Sequence, residues 1–304
     1  MTEAGSRSIR EDLFDAAFLR RVEHLALLAR RIVSSGQRAQ RRSKKIGSGI
    51  EFADHRDYTP GDDLRYLDWS VYGRTERLLL RQYEEEEDLS VYFLIDRSTS
   101  MTMAPAGQQA LFDRALQVTA ALAYISLSNL DRVSVVPFGE TVEQPMRPLR
   151  GKGQLFRILR RLSDLTPGGG TDLGRALESF ATWRPRRGLV VLVSDFYDTD
   201  GLQAGLRALA VRGYETLVLQ LWDGRMLDAA WWGDLTLVDC ETGARHDVCL
   251  TPDLMTRYGA AFDDFSAAIE AAARKVGARS LRVDVQVPFD DVVMRVFRTG
   301  GFLG

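Results

Sequence analysis

The chain has 304 residues, of which 45% are hydrophobic and 27% charged, a composition typical of globular proteins. Its formal net charge of −2 argues against a protein that wraps nucleic acid with its whole surface. No apolar run approaches the roughly 18 to 20 residues of a membrane span, and the N-terminus has no export-signal pattern, so we expect a soluble cytoplasmic protein.

The first predicted element is helical. Apolar residues between Ile9 and about Gln37 recur three and four apart, which predicts one long amphipathic helix or two short ones. A basic run from Arg38 to Lys45 follows, with no acidic residue in it. Such runs are usually solvated linkers, and we favour that interpretation. The alternatives are contact with nucleic-acid phosphates, although no aromatic residues are interleaved, and contact with an acidic partner surface.

The next segment, Glu51 to Glu87, is rich in acidic, basic and aromatic residues. One interpretation is enzymatic, with a nuclease-like metal cluster built from His55, Asp57, Asp62, Asp63 and Asp68. We favour a structural interpretation. Arginines are interleaved with these acids, which indicates ion-paired scaffolding more than free catalytic carboxylates; they are Arg56, Arg65, Arg74, Arg77 and Arg81.

Three separated segments then place hydroxyl and carboxyl groups at the ends of predicted elements. The apolar run Leu89 to Ile95 predicts a buried parallel strand, which ends in the pattern Asp-x-Ser-x-Ser over residues 96–100. A glycine-rich stretch at residues 168–172 opens an amphipathic helix, and residues 190–195 close another apolar strand. Because the carboxyl ends of parallel strands share one crevice, we expect these segments to converge.

The residues at these junctions are suited to a hard divalent cation. Hydroxyl and carboxylate oxygens are hard donors, and Mg²⁺ binds about six of them in a compact octahedron. The five candidate ligands are Asp96, Ser98, Ser100, Thr171 and Asp195. We expect Mg²⁺, with Mn²⁺ or Ca²⁺ as alternatives, and a coordination position left for an outside ligand. Each segment alone also fits an ordinary capped turn, but the three in this order favour a metal site.

Helices and strands alternate through the rest of the chain. Helices are predicted over residues 108–127, 154–162, 171–183, 202–211, 251–276 and 290–297, and strands over 132–138, 188–194, 215–222 and 280–285, with an edge strand at 141–149 and a hairpin at 238–248. This alternation predicts an α/β fold, with a Rossmann-like, mostly parallel sheet covered by helices on both faces. We divide the chain into an N-terminal segment, residues 1–88, and an α/β domain, residues 89–304.

The two cysteines, Cys240 and Cys249, flank the predicted hairpin turn, so they could face each other across two strands. Without an export signal we expect two reduced, structural thiols. Their spacing matches no zinc motif, and the three histidines, His24, His55 and His246, are scattered along the chain.

The five candidate ligands resemble the metal-ion-dependent adhesion site of von Willebrand factor A domains. In that family the two serines and the threonine bind the ion, the two aspartates act mostly through water, and an acidic side chain from a partner protein takes the open position. The resemblance implies a site that works in adhesion and not in bond cleavage.

A second resemblance rests on the sequences EFADHRDYTPGDDLRYLDW at residues 51–69 and RQYEEEE at residues 81–87. They are similar to the signature of the bacterial family called domain of unknown function 58, in which the signature precedes a von Willebrand A-like domain. The resemblance covers the chain from this segment to the carboxyl terminus. Members of the family are commonly linked with MoxR-type AAA+ ATPases. Many also carry two N-terminal membrane helices, whereas this sequence resembles the shorter soluble form.

These features together predict a Mg²⁺-dependent protein-interaction module, an adaptor or substrate-presenting partner of a MoxR-type ATPase, which binds an acidic residue of the ATPase or of a client protein. We expect no enzymatic activity of its own, because the chain has no Walker A sequence and no Gly-x-Ser-x-Gly elbow. We expect no membrane or nucleic-acid partner. The alternatives are a metal-dependent hydrolase and a nucleic-acid binder that uses the basic run.

Overall fold

The computed structural model describes residues 12–36, 42–45, 51–86, 89–104, 110–183, 186–227 and 232–300. Within it the chain divides into two compact units. One contains residues 1–30 and 89–303, and the other is formed by residues 31–88. We call them the sheet unit and the small unit.

The strands are β1 (Arg42–Lys45), β2 (Glu51–Asp57), β3 (Leu79–Glu86), β4 (Ser90–Asp96), β5 (Arg132–Phe138), β6 (Leu149–Arg150), β7 (Leu189–Ser194), β8 (Glu215–Trp222), β9 (Gly233–Val238), β10 (Arg245–Leu250) and β11 (Arg279–Asp284). The α-helices are α1 (Ala16–Gly36), α2 (Trp69–Thr75), α3 (Leu111–Ser128), α4 (Leu155–Ser163), α5 (Leu173–Thr182), α6 (Leu202–Val211), α7 (Pro252–Lys275) and α8 (Phe289–Thr299).

The sheet unit is built on a six-stranded sheet with the order β11-β8-β7-β4-β5-β6. The first five of these strands run parallel, and the short β6 is antiparallel to β5. The predicted α/β class with a mostly parallel sheet is therefore confirmed.

Helices cover both faces of this sheet. Every residue of β4 and β7 is therefore buried, although successive side chains point to opposite faces. Tyr92 and Leu94 point into one core, which they share with α5, α6 and α7. The opposite face packs against α3, of which nearly every residue is buried, and α3 in turn contacts α4 and α8. These two cores hold the ends of the central strands in fixed positions.

The order in which strands are added to the sheet reverses at β4, in the centre of the sheet. From β4 the chain passes through α3 to β5 on one side, whereas β7 lies on the other side of β4 and leads into α6. Since α3 and α6 cover opposite faces, the loops after β4 and β7 diverge and leave a crevice between them. Ligands of open α/β sheets bind in such crevices.

The N-terminal helix is one continuous element, α1. Its first part belongs to the sheet unit. Phe18 packs against Phe289 of α8 with ring centroids 5.3 Å apart, and the Arg21 guanidinium bonds the Asp290 carboxylate at 3.2 Å. By contacts within the chain, residues 1–30 group with residues 89–303. The domain boundary after residue 88 stays a prediction.

The small unit contains a three-stranded antiparallel sheet with the order β1-β3-β2. Part of the basic run that we interpreted as a solvated linker is the strand β1, so that interpretation is wrong for residues 42–45. The register places Arg42 opposite Glu86 and Lys44 opposite Glu84. Backbone hydrogen bonds to β3 account for a strand in so polar a sequence. Residues 38–41 lie outside the described residues.

Two other predictions differ from the structure. The predicted edge strand at residues 141–149 is reduced to one bridge between Phe138 and Val142 and the short β6, since Pro145 and Pro148 have no N–H group for a ladder. The predicted hairpin exists as the ribbon of β9 and β10, but its register pairs Cys249 with Asp234, while Cys240 lies in the turn. The cysteines therefore do not face each other, and both are free.

The packing of α5 on α6 gives a first testable prediction. A Cβ atom at Gly174 would lie 2.9 Å from the Cα of Gly201 and 3.3 Å from the carbonyl oxygen of Asp200. Gly174→Ala should therefore push the two helices apart and cost about 1–3 kcal/mol. The control is Gly259→Ala in α7, where an added methyl group meets no atom within 4 Å. Equal melting temperatures for the two variants in thermal unfolding followed by circular dichroism would contradict this packing argument.

Candidate metal centre

The loop after β4 carries three of the five predicted ligands. Asp96 is the last residue of the strand, and its Oδ1 accepts hydrogen bonds from the backbone N–H of Ser98 at 2.8 Å and from the hydroxyl of Thr171 at 3.2 Å. The hydroxyl oxygens of Ser98 and Ser100 lie 3.0 Å apart. Asp96 thus joins two of the three predicted segments directly.

The glycine-rich loop is tied to the same place by its backbone. The carbonyl oxygen of Gly169 accepts bonds from the N–H of Thr99 at 2.9 Å and from its hydroxyl at 3.0 Å. Gly169 has a φ of +82°, a backbone conformation that residues other than glycine rarely adopt. Asp172 then caps α5 by accepting a bond from the N–H of Arg175 at 2.8 Å. The loop geometry therefore fixes Thr171 beside Asp96.

The third segment ends β7. Asp195 follows the strand directly, and its Oδ1 accepts a bond from the N–H of Tyr197 at 3.2 Å. Ser194, the last residue of β7, donates its hydroxyl to Asp96 Oδ2 at 2.6 Å. We did not predict this role for Ser194, although its position at the end of a strand beside Asp195 was the available signal. Four of the five predicted ligands line one crevice at the carboxyl ends of β4 and β7, and the fifth, the buried Ser98, lies directly behind Ser100.

Burial raises the pKa of both carboxyl groups. The pKa of Asp96 rises because burial disfavours its charged form, although bonds from Ser194, Ser98 and Thr171 act in the opposite direction. The pKa of Asp195 rises to about 7, first through burial and next through the charge of Asp96. Two buried carboxylates that repel each other are a favourable place for a cation.

The residues present fit a divalent cation with oxygen ligands. Asp195 is 4% exposed, and its Oδ2 atom is buried with no hydrogen-bond partner among the described residues. Buried carboxylate oxygens are normally satisfied, so an unpaired one in this crevice points to a missing ligand. In the described ranges no three His, Cys, Asp or Glu side chains converge as a metal cluster. The candidate set instead combines two carboxylates with three hydroxyls, as hard cations accept.

The site opens into a cavity of about 460 Å³. Its lining includes four of the predicted ligands, and also Tyr197, Asp198 and the turn between β9 and β10. From this turn Glu241 reaches the site, with its Oε1 3.4 Å from the backbone N–H of Ser100. Glu241 cannot be identified from the sequence alone, because nothing in the residues around it indicates that the hairpin folds over the crevice.

The other candidate cluster, in the small unit, is ion-paired. Asp68 accepts bonds from His55 at 2.8 Å and from Arg81 at 3.0 Å, and these partners with Ser70 lower its pKa. The remaining acids pair in the same way, as Asp57 with Arg77, Asp62 with Arg56 and Asp63 with Arg65. The scaffolding interpretation of this segment is confirmed for these side chains.

Among the helices that the structure describes, none combines the length and the apolar composition that crossing a bilayer requires.

A family model described as "Protein of unknown function DUF58" matches residues 54–268. Among curated proteins, "Uncharacterized protein Rv1480" of Mycobacterium tuberculosis (strain ATCC 25618 / H37Rv) is 29% identical over 239 residues, which cover 78% of this chain and 72% of that protein.

Two of the solved structures similar to this chain are the following. An aerotolerance-related membrane protein from Bacteroides fragilis NCTC 9343 is 16% identical, with a TM-score of 0.46, and the match covers 69% of this chain and 98% of that one. The SpRpn10 VWA domain is 12% identical, with a TM-score of 0.41, and the match covers 68% and 94%. At these levels of similarity neither structure bears on function.

Proposed function

The chain belongs to the DUF58 family, and from the geometry of its crevice we propose that it is a divalent-metal-dependent protein-interaction module. The cation, Mg²⁺ or alternatively Mn²⁺ or Ca²⁺, would be held by Asp96, Ser98, Ser100, Thr171 and Asp195. The observation that carries the proposal is the buried, unpaired Oδ2 of Asp195, at the meeting point of three loops.

The protein's own residues position the ligand set. Ser194 and the N–H of Ser98 hold the Asp96 carboxylate, and the N–H of Tyr197 holds one oxygen of Asp195, which leaves the other oxygen available. A bound cation would supply positive charge to the two carboxylates and a coordination position for an acidic side chain. The cavity of about 460 Å³ over the site gives such a side chain room to enter.

The proposed partners are cytoplasmic: a MoxR-type AAA+ ATPase, or a client protein that offers an acidic residue. An ATPase partner would supply the energy that this chain, without a Walker A sequence, does not obtain from ATP itself. The chain would then act as an adaptor, in which loss of the cation releases the partner.

A metal-dependent hydrolase is the alternative function. It needs a general base near the ion, and in the part of the chain that the structure describes no histidine lines the cavity, so an acidic residue such as Asp198 or Glu241 would have to act as the base. Hydrolysis of a phosphoester that depended on Asp96 would revive this alternative.

The proposal predicts metal-dependent capture of a partner. Purified protein on a support would be exposed to native lysate with Mg²⁺ or with chelator, and the eluates compared by mass spectrometry. Thr171→Ala should reduce capture of an AAA+ ATPase at least about tenfold, because the Thr171 hydroxyl lies beside Asp96 in the ligand set.

Thr182→Ala is the matched control, since that exposed hydroxyl bonds the carbonyl of Ser179 in its own helix and lies outside the cavity lining. Equal capture of the ATPase with Mg²⁺, with chelator and by the folded Thr171→Ala variant would show that the interface lies elsewhere.

A further inference from the structure

The turn between β9 and β10 brings a carboxylate to the mouth of the metal centre. Glu241 lies in the cavity with Asp96, Thr171 and Asp195, and its Oε1 is 3.4 Å from the N–H of Ser100. Its other oxygen is 3.6 Å from the position that a Cβ atom would take at Gly170. The Glu241 carboxylate therefore lies between the two loops that carry the serine and threonine ligands.

The turn that presents Glu241 is ordered by Asp239. The Asp239 carboxylate accepts bonds from the N–H of Glu241 at 3.0 Å, from the N–H of Thr242 at 2.6 Å and from the Thr242 hydroxyl at 2.8 Å. The N–H of Gly243 also bonds the Asp239 carbonyl at 3.0 Å. Because these bonds fix the backbone on both sides, the turn sets the position from which the Glu241 side chain reaches the crevice.

The surroundings of Glu241 do not explain a carboxylate at this place. It approaches two other acidic groups, Asp96 and Asp195, in the same cavity, and like charges repel. Its contact with Ser100 is one long hydrogen bond. The buried Oδ2 of Asp195, with no partner among the described residues, independently marks the place as one that lacks a positive group.

We propose that Glu241 is the chain's own acidic ligand for the cation, and that it occupies the position which an acidic side chain of a partner would otherwise take. The inference rests on the proposed function, since it requires the metal centre. Partner binding then becomes an exchange of carboxylates, in which the β9–β10 turn must withdraw before the partner's acid enters. Because Glu241 and the partner's acidic side chain compete for the same coordination position, Glu241 lowers the affinity of the partner.

The test counts the water molecules on a bound metal ion. Tb³⁺ is a hard cation that replaces Mg²⁺ or Ca²⁺ at oxygen sites, and its luminescence lifetimes in H₂O and D₂O give the number of coordinated waters. Glu241→Gln in the 304-residue chain should gain about one water relative to the wild type, because a neutral amide is a poorer ligand for a hard cation. Glu140→Gln is the control, since Glu140 is also acidic and close to Gly170 but does not line the cavity.

A second arm uses acetate as a free carboxylate. Acetate should displace water from Tb³⁺ in Glu241→Gln at concentrations at least about tenfold lower than in the wild type, because the internal competitor is gone. Circular dichroism confirms that each variant is folded.

The possible failures are distinguishable. Equal water numbers and equal acetate sensitivity in wild type and Glu241→Gln, with Tb³⁺ bound to both, would overturn the role of Glu241 and leave the metal centre standing. Failure of the wild type to bind Tb³⁺, or binding that Asp96→Asn does not weaken, would overturn the proposed function itself.

Discussion

Asp96→Ala is expected to lower the affinity of the protein for Mg²⁺ by about 100-fold or more, because even residues behind metal ligands typically contribute about 10–100-fold. Asp96 is the hub of the site. It accepts bonds from the N–H of Ser98 and from the hydroxyls of Thr171 and Ser194, and so connects all three loops. Isothermal titration calorimetry with Mg²⁺ and with Mn²⁺ measures the loss.

Removal of the whole side chain could also disturb the loops, so Asp96→Asn serves as a second variant that keeps the shape of the carboxylate. Asp164→Asn, at the exposed end of α4, controls for the change of net charge. We expect both substitutions at Asp96 to lose affinity and the Asp164 variant to match the wild type. Unchanged Mg²⁺ affinity in folded Asp96→Asn would remove Asp96 from the ligand set.

Asp195→Asn is expected to stabilise the metal-free protein and to destroy its response to metal. Burial and the neighbouring charge of Asp96 raise the pKa of Asp195 from 3.8 to about 7. At pH 8 the native state therefore holds the Asp195 carboxylate charged in surroundings that disfavour the charge. The difference of about 3 units between its folded and unfolded pKa corresponds to a destabilisation on the order of 4 kcal/mol. An asparagine keeps an oxygen for the N–H of Tyr197 without the charge.

The dependence on pH has a definite sign. Because the folded-state pKa of Asp195 lies above the unfolded value of 3.8, its contribution to stability is fully present below pH 3.8 and is lost as pH rises through about 7. Between these values the metal-free wild type should lose stability relative to Asp195→Asn. Above pH 7, Mg²⁺ should raise the melting temperature of the wild type only.

Urea unfolding of both proteins with chelator, at several pH values, measures this difference, and thermal unfolding with and without Mg²⁺ measures the metal response. A wild type whose stability relative to Asp195→Asn does not change between pH 4 and pH 8 would show that the Asp195 carboxyl is not held in a repulsive environment. A variant stabilised by Mg²⁺ as strongly as the wild type would exclude Asp195 from the metal centre.

The centre of the fold was accessible from the sequence because its signals are local. Apolar runs of strand length, such as the one before Asp96, predict buried parallel strands, and the polar residues at their ends then share one edge of the sheet. The convergence of Asp96 and Asp195 follows from this rule. Thr171 follows no strand, and it reaches them because the loop before α5 bonds Thr99 and Asp96. That these residues hold a metal remains a prediction.

The parts that escaped prediction depend on pairing over long distances in the chain. β1 contains no apolar residue, and its partner β3 lies about forty residues later, so neither composition nor periodicity could identify the pair. Glu241 likewise reaches the crevice only because the β9–β10 ribbon folds over it. No local sequence pattern indicates where a hairpin will pack in the folded protein.

The β9–β10 ribbon has a further consequence for kinetics. Its two strands pair only with each other within the described sheets, and most of their residues are exposed. A two-stranded ribbon is marginally stable on its own, so its opening free energy lies far below that of the six-stranded sheet. Sub-global opening of the ribbon, in which the core stays intact, would then set the rate at which the crevice is exposed, and amide hydrogen exchange would be faster in the ribbon than in β4 or β7.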